Sequence, residues 1–284
     1  MIKVSGLCFR YPKNHEDTLH DISFGVGRGE IFGFIGPSGA GKSTTVKVLI
    51  GLLKDYKGEV TVLRQPAGAA GKEFYEHLGA AFEVPNLFEK FTAMENLVFF
   101  RGLYKRTGME PLTLLSMVGL RQHADVRVEK YSKGMKVRLN FIRALINNPE
   151  LIFLDEPTSG LDPANTKTII EIILDLKRRG KTIFLSTHNM NVAETLCDRL
   201  AFLVDGRINL IDSPRNLKLR YGKKILIVEY KKNGAPERES FELDGLAENK
   251  AYLDILAART IETMHTQEAR LDDVFIQVTG RRLV

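Results

Sequence analysis

One stretch constrains this chain more than any other. Gly36-Pro37-Ser38-Gly39-Ala40-Gly41-Lys42-Ser43 fits the pattern G-x-x-x-x-G-K-[ST], and Thr44 follows it. It comes after Ile31 to Ile35, a short apolar run, and opens a segment with Val46, Leu49, Ile50 and Leu53 at helical spacing. A buried strand, a glycine-rich turn and a helix form the context in which this pattern binds phosphate. Glycines let successive backbone N–H groups turn inward around phosphate oxygens. The helix N-terminus adds partial positive charge. Lys42 then reaches the β- and γ-phosphates, and Ser43 supplies an oxygen to Mg²⁺. The spacing predicts a helix over Ser43 to Leu53, with Gly51 near its end.

The surrounding pattern predicts strands at Ile2 to Tyr11 and Leu19 to Val26. Residues 85 to 147 read as mostly helical, interrupted by Gly102, Gly108, Pro111 and Gly119. Apolar strands then return at Leu151 to Leu154, Thr182 to Ser186 and Leu200 to Val204. The first two flank a helix carrying Ile169, Ile170, Ile173 and Leu176. Continuous apolar strands alternating with helices make a parallel sheet covered on both faces. Asp205-Gly206 predicts a tight hairpin into one more strand.

Beyond Pro214 the texture changes. Ile225 to Tyr230 and Ser240 to Leu243 read as strands, with a turn at Asn233-Gly234. Ala251 to Ala258 reads as a helix, as does the set Leu271, Val274, Phe275 and Val278 before Gly280. Residues 214–284 are expected to form a small separate α+β domain, and 1–213 the main one.

The strand Leu151 to Leu154 ends in Asp155-Glu156. Strand C-termini border the ligand crevice of a parallel sheet. Asp155 is thereby a candidate Mg²⁺ ligand, and Glu156 a candidate for polarising the attacking water. Two solvated acids at a strand end is the bland alternative, weakened by the phosphate loop upstream.

Four further pieces narrow the class. Tyr131-Ser132-Lys133-Gly134-Met135 precedes a helical face with Leu139, Ile142, Arg143 and Leu145. Ser159-Gly160-Leu161-Asp162 follows the acid pair, His188 follows Phe184-Leu185-Ser186-Thr187, and Tyr11 closes the first strand. In this order, over residues 3 to 213, they resemble the signature, D-loop, switch histidine and adenine-stacking aromatic of ABC-type ATPases. Within that family the resemblance is to the multidrug, bacitracin and lantibiotic export branch.

The resemblance implies a P-loop NTPase of the α/β class. Its parts would be a mainly parallel core sheet, an antiparallel β subdomain and a helical signature subdomain near 85–147. It implies ATP and Mg²⁺ as ligands, catalysis by Glu156, His188 and Lys42, and Tyr11 stacked on adenine. Ser132 is expected to N-cap its helix. With Gly134 and Asp162 it would meet the ATP held by another subunit. One chain supplies one phosphate loop and one signature, so two copies would bind ATP head to tail as a homodimer. A separate integral membrane permease would do the transporting. The ATPase would then be cytoplasmic, peripheral on the inner face of the membrane.

Two positions depart from the family pattern. Glu83 stands where glutamine is usual; as an ionised carboxylate it binds Mg²⁺ but donates no hydrogen bond. Glutamate here resembles the bacitracin and lantibiotic branch. Lys133 replaces a glycine, and either adds charge near phosphate or faces solvent. The tail Arg270 to Arg281 resembles the end of export ATPases and reads as a structural or regulatory appendage.

Bulk properties agree. The 284 residues are 44% apolar and 27% charged, as in ordinary globular chains. No stretch approaches the roughly 18 apolar residues of a membrane span. The start, Met1-Ile2-Lys3-Val4, does not read as a secretory leader. Cys8 and Cys197 have no metal or redox spacing. The net charge of +6 is scattered apart from short pairs such as Lys223-Lys224, Lys231-Lys232 and Arg281-Arg282. A DNA-repair ATPase of this class would carry long heptads between loop and signature, and a translation factor two fused ATPase units. Neither is present here, so no nucleic-acid partner is expected. A generic P-loop kinase would explain neither the signature-like helix nor His188.

Overall fold

In the computed structural model, residues 1–12, 14–106, 108–222, 224–232, 234–267 and 270–282 are described. Asn233 of the expected turn and Lys223 of the basic pair Lys223-Lys224 lie outside them. The chain forms two compact units, Met1–Ser213 and Pro214–Arg282.

The first unit opens with β1 (Ile2–Phe9), β2 (Leu19–Val26) and β3 (Ile31–Ile35), then α1 (Lys42–Leu49). Next come β4 (Tyr56–Val62), β5 (Gln65–Pro66), α2 (Lys72–Glu76) and β6 (Leu78–Ala81). The helical region holds α3 (Ala93–Arg101), α4 (Pro111–Met117) and α5 (Lys133–Arg143). β7 (Leu151–Asp155), α6 (Pro163–Arg178), β8 (Thr182–Thr187), α7 (Met190–Leu196), β9 (Arg199–Val204) and β10 (Arg207–Asp212) complete it.

Two sheets result. The antiparallel one runs β2-β1-β4-β5, and the six-stranded one β10-β9-β3-β8-β7-β6. Within the second, β9, β3, β8, β7 and β6 are parallel, and β10 returns antiparallel to β9. β3 and β7 are buried along their whole length, as strands covered on both faces must be. β1 and β2 instead alternate buried and exposed positions over much of their length. The sheets meet in an aromatic seam. Phe24 of β2 stacks on Phe32 at 5.5 Å, and Phe34 lies 5.1 Å from Phe184 between ring centres. This seam fixes β3, and hence the loop that follows it.

Helix α1 is shorter than its apolar spacing suggests. It stops at Leu49, and the chain turns out at Gly51 with φ 75°. Strand β1 likewise ends at Phe9, leaving Tyr11 in the following loop. The β9–β10 hairpin turns at Asp205 and Gly206, φ 48° and 68°, the two positive values of a type I′ turn.

The second unit contains α8 (Pro214–Tyr221), β11 (Ile225–Lys232), β12 (Ala235–Glu242), α9 (Lys250–Ala258), β13 (Thr260–Gln267) and α10 (Leu271–Thr279). Its antiparallel sheet runs β12-β11-β13. Leu226, Val228, Tyr230, Phe241 and Ile255 make a core of its own. Among the described residues, no helix is long and apolar enough to cross a membrane.

Candidate nucleotide site

The phosphate loop sits at the C-terminal end of β3 and takes its shape from close packing. A Cβ on Gly36 would lie 2.0 Å from the carbonyl oxygen of Leu203 in β9. Gly41, with φ 103°, caps α1 in the left-handed region, where a Cβ would also meet the Leu19 side chain at 2.6 Å. Only glycine satisfies both positions.

Lys42 follows, 7% exposed. Its Nζ donates to the carbonyls of Gly36 and Pro37 at 2.7 and 3.0 Å and lies 4.0 Å from Oε1 of Glu156. Burial pulls its pKa down, while the carboxylates of Glu156, Asp155 and Glu83 push the other way. Ala40 is buried, and its carbonyl accepts from the backbone N–H of Gly206 at 3.1 Å, pinning the loop to the β9–β10 turn.

The acid pair arrives from β7. Asp155 pairs in register with Ser186 of β8, whose hydroxyl donates to its carboxylate. Glu156 is 7% exposed, with φ 51°. A non-glycine residue held there costs about 1–3 kcal/mol, and such outliers cluster at functional sites. Its Oε2 accepts from the Thr187 hydroxyl at 3.1 Å, and its Oε1 is 2.8 Å from Nδ1 of His188. Ser186 and Thr187 are site residues that motif reading did not single out. Their signal was two hydroxyl side chains at the end of the strand beside Leu154-Asp155-Glu156.

One cavity of about 190 Å³ gathers Ser38, Gly39, Gly41, Lys42, Ser43, Thr44, Glu83, Asp155, Glu156 and His188. Three oxygen-bearing side chains able to face a cation, Ser43, Asp155 and Glu83, are among them. Gly36, Pro37 and Ala40 belong to the loop's backbone scaffold. Tyr11 lies to one side, its hydroxyl 3.3 Å from Oγ1 of Thr44 and its ring edge-on to Phe9 at 4.9 Å.

The remaining predicted residues lie outside this cavity. Ser132 caps α5, its Oγ accepting from the Met135 N–H at 3.2 Å. Asp162 caps α6, its Oδ1 accepting from the Asn165 N–H at 2.9 Å. Both are exposed; Gly134, in the first turn of α5, lies near Leu161. The stem of Lys133 packs on Gly160, where a Cβ would come within 3.1 Å of its Cε. A second cavity, about 450 Å³, runs between the Glu83 loop and α5, with Glu83, Pro85, Tyr131, Lys133 and Ser159 on its walls.

The Fluoroquinolones export ATP-binding protein of Mycobacterium tuberculosis is 53% identical over 284 residues, spanning 100% of this chain and 94% of that protein. Residues 19–159 match the family model described as ABC transporter. The chain belongs to the ABC transporter family. It is the ATP-binding and ATP-hydrolysing subunit. Residues 224–268 match a second model, the fluoroquinolone efflux ABC transporter C-terminal domain. The Nod factor export ATP-binding protein I of Bradyrhizobium diazoefficiens is 37% identical over 293 aligned positions, covering 93% of this ABC chain and 92% of that one. Among solved structures, an ATP-binding subunit of an ABC transporter superposes with a TM-score of 0.70 at 29% identity, covering 78% of this chain and 93% of that one. A dimeric ATP-binding cassette in a post-hydrolysis state, bound to ADP and Pi, gives 0.69 at 28% identity, over 75% and 98%.

Proposed function

We propose that this ATPase powers an exporter of antibiotics of the fluoroquinolone class. The convergence of Lys42, Asp155, Glu156 and His188 on one small cavity carries the catalytic reading. Similarity over the whole chain to a fluoroquinolones export protein supports the cargo.

In this reading Lys42 leaves the Gly36 and Pro37 carbonyls for the β- and γ-phosphates. The N–H groups from Ser38 to Thr44 hold the phosphate oxygens, and Tyr11 stacks on adenine. The donor set suits Mg²⁺. Ser43, Asp155 and Glu83 offer hard oxygens, and the described residues contain no cluster of three or more His, Cys, Asp or Glu fit to cage a metal alone. Magnesium takes few protein ligands and completes its shell with phosphate and water. When bound, it neutralises charge on the phosphates. Glu156 polarises the attacking water, held in place by Thr187. His188 donates to the γ-phosphate.

Because Ser132, Gly134 and Asp162 are exposed or lie outside the cavity, they serve the site of a second copy in a head-to-tail homodimer. The dimeric cassette with a similar fold supports this arrangement. A membrane permease docks on the apolar surface beside the Glu83 loop. Val84 is 72% exposed and Val98 55%, and the half-exposed Phe88 and Phe99 pack against each other at 5.0 Å. A patch of this kind marks an interaction site. The chain therefore works in the cytoplasm, on the inner face of the membrane, and needs no nucleic acid.

The experiment is transport in inverted membrane vesicles containing the chain and its permease. ATP-dependent uptake of a fluoroquinolone that disappears with Glu156→Gln supports the proposal. Hydrolysis without any drug-dependent uptake or stimulation argues against the cargo. Co-purification with nucleic acid in place of a membrane protein argues against the transporter reading.

A further inference from the structure

The loop that carries Glu83 is held by two helices, and α5 grips both of its halves: beyond Phe88, Nζ of Lys136 donates to the Glu89 carboxylate at 2.5 Å. Downstream, Asn96 of α3 closes the loop on itself. Its Oδ1 accepts from the N–H of Phe88 at 2.9 Å, and its Nδ2 donates to the carbonyls of Phe88 and Thr92 at 3.0 and 2.9 Å. Upstream, the bonds come from α5. Nδ2 of Asn140 donates to the carbonyl of Phe82 at 2.8 Å. The guanidinium of Arg143 donates to the carbonyls of Asn86 at 2.9 Å and Ala80 at 3.4 Å. Glu83 sits between the two carbonyls that α5 holds best.

The donors are built for this task. Asn140 and Arg143 lie three residues apart on α5, so they share a helix face. Asn140 is 3% exposed, and its Oδ1 has no hydrogen-bond partner among the described residues. The residue therefore gives up half of its bonding capacity to make one bond to the loop. Among the described residues, no carboxylate lies within 4.0 Å of Arg143; its cation lies over the Phe100 ring, 4.8 Å from the centroid. Burial lowers its pKa. A half-buried guanidinium that faces backbone carbonyls and a ring, and no acid, fixes geometry where it could have neutralised charge.

We propose that Asn140 and Arg143 are positioning residues for Glu83. They tie the Glu83 loop to α5, the helix whose other end is capped by Ser132. A displacement of α5 at its Ser132 end then moves Glu83 within the cavity that also holds Lys42, Asp155 and Glu156. The signature helix and the metal-facing carboxylate act as one body. The inference rests on Glu83 as an Mg²⁺-facing residue.

The test is fluorescent-ATP binding to the full chain, titrated with Mg²⁺ and repeated without it. Arg143→Lys keeps the charge but loses the two-pronged donor. Asn140→Leu keeps the volume and removes the amide; it also serves if the arginine variant folds poorly. Each is expected to raise the Mg²⁺ concentration for half-maximal binding about tenfold, as loss of a residue that orients a metal ligand does. Mg²⁺-free affinity should stay as in the wild type. Glu83→Ala should shift the same midpoint, and adding Arg143→Lys to it should shift it no further. A midpoint shifted by Glu83→Ala but by neither α5 variant overturns the inference alone. A midpoint that Glu83→Ala leaves unchanged overturns the metal-facing reading and the inference with it. Additive shifts also overturn the inference, because they place the α5 residues on a separate route.

Discussion

Nδ1 of His188 lies 2.8 Å from Oε1 of Glu156, and the other oxygen of that carboxylate accepts from Thr187 at 3.1 Å. An ionised glutamate only accepts, so Nδ1 carries the hydrogen. Nε2 is then the nitrogen left to face a ligand, on a side chain half exposed to solvent. The Glu156 carboxylate thus orients the His188 ring and leaves Nε2 for the proposed phosphate contact. His188→Ala should lower kcat about a hundredfold or more, the usual effect of losing a donor aimed at developing charge. The KM for ATP should change far less. Steady-state hydrolysis assays check this, and an equal loss confined to KM would make His188 a binding residue only.

Lys42→Ala should weaken ATP binding about tenfold or more, because a charge-assisted contact worth about 1.5–3 kcal/mol is lost. Calorimetric titration measures it. Unchanged affinity would remove the loop from the nucleotide site.

Glu83→Gln restores an amide to the loop and should leave basal hydrolysis within about tenfold, a barrier change of roughly 1.4 kcal/mol. Glu83→Ala should spare ATP binding at saturating Mg²⁺ yet uncouple transport from hydrolysis. Both rates measured in one reconstituted preparation decide it; an unchanged ratio of drug moved per ATP would show that Glu83 does not couple.

Glu76, at the end of α2, accepts from the backbone N–H groups of Lys105 and Arg106 at 3.0 and 3.2 Å. These bonds, the one from Lys105 foremost, hold its carboxyl below the usual glutamate range. A lowered folded pKa means the unfolded chain binds the proton first as pH falls. The stabilisation is therefore present above the ordinary glutamate range and lost as pH drops through the lowered folded value. Glu76→Gln should cost about 1–2 kcal/mol at neutral pH, with a gap that closes in acid. Urea unfolding at several pH values measures it, and a gap independent of pH would refute the ionic origin.

Removal of the residues after Pro214 should leave a folded ATPase, since the residues described around the nucleotide cavity all belong to the Met1–Ser213 unit. An insoluble product, or one that fails to bind ATP, would contradict this.

Much of the site was legible because its chemistry is local in sequence. The loop from Gly36 to Ser43, the pair Asp155-Glu156 and the Asp205-Gly206 turn each state their geometry in a few adjacent residues. Strand β6, Leu78-Gly79-Ala80-Ala81, does not. It has no β-branched residue, and its extended form comes from pairing with β7 across long sequence separation. The run Thr260–Gln267 does hold β-branched residues, Thr260, Ile261, Thr263 and Thr266, but no apolar alternation marks a buried face, and pairing with β11 is what makes it a strand. The hydroxyls of Ser186 and Thr187 gain meaning only through the register that sets them beside Asp155 and Glu156. Lys133, readable two ways in sequence, has its stem on Gly160, a contact that depends on how α5 meets the loop before α6.

If Glu156 activates water within a site completed by a second copy of the chain, removing its carboxylate should trap an ATP-bound dimer. Sizing Glu156→Gln by chromatography with light scattering, with and without ATP, tests it most directly. A monomer without nucleotide, and with ATP a dimer that does not turn over, are expected. A variant that stays monomeric in ATP and hydrolyses it at the wild-type rate would contradict both halves of the claim.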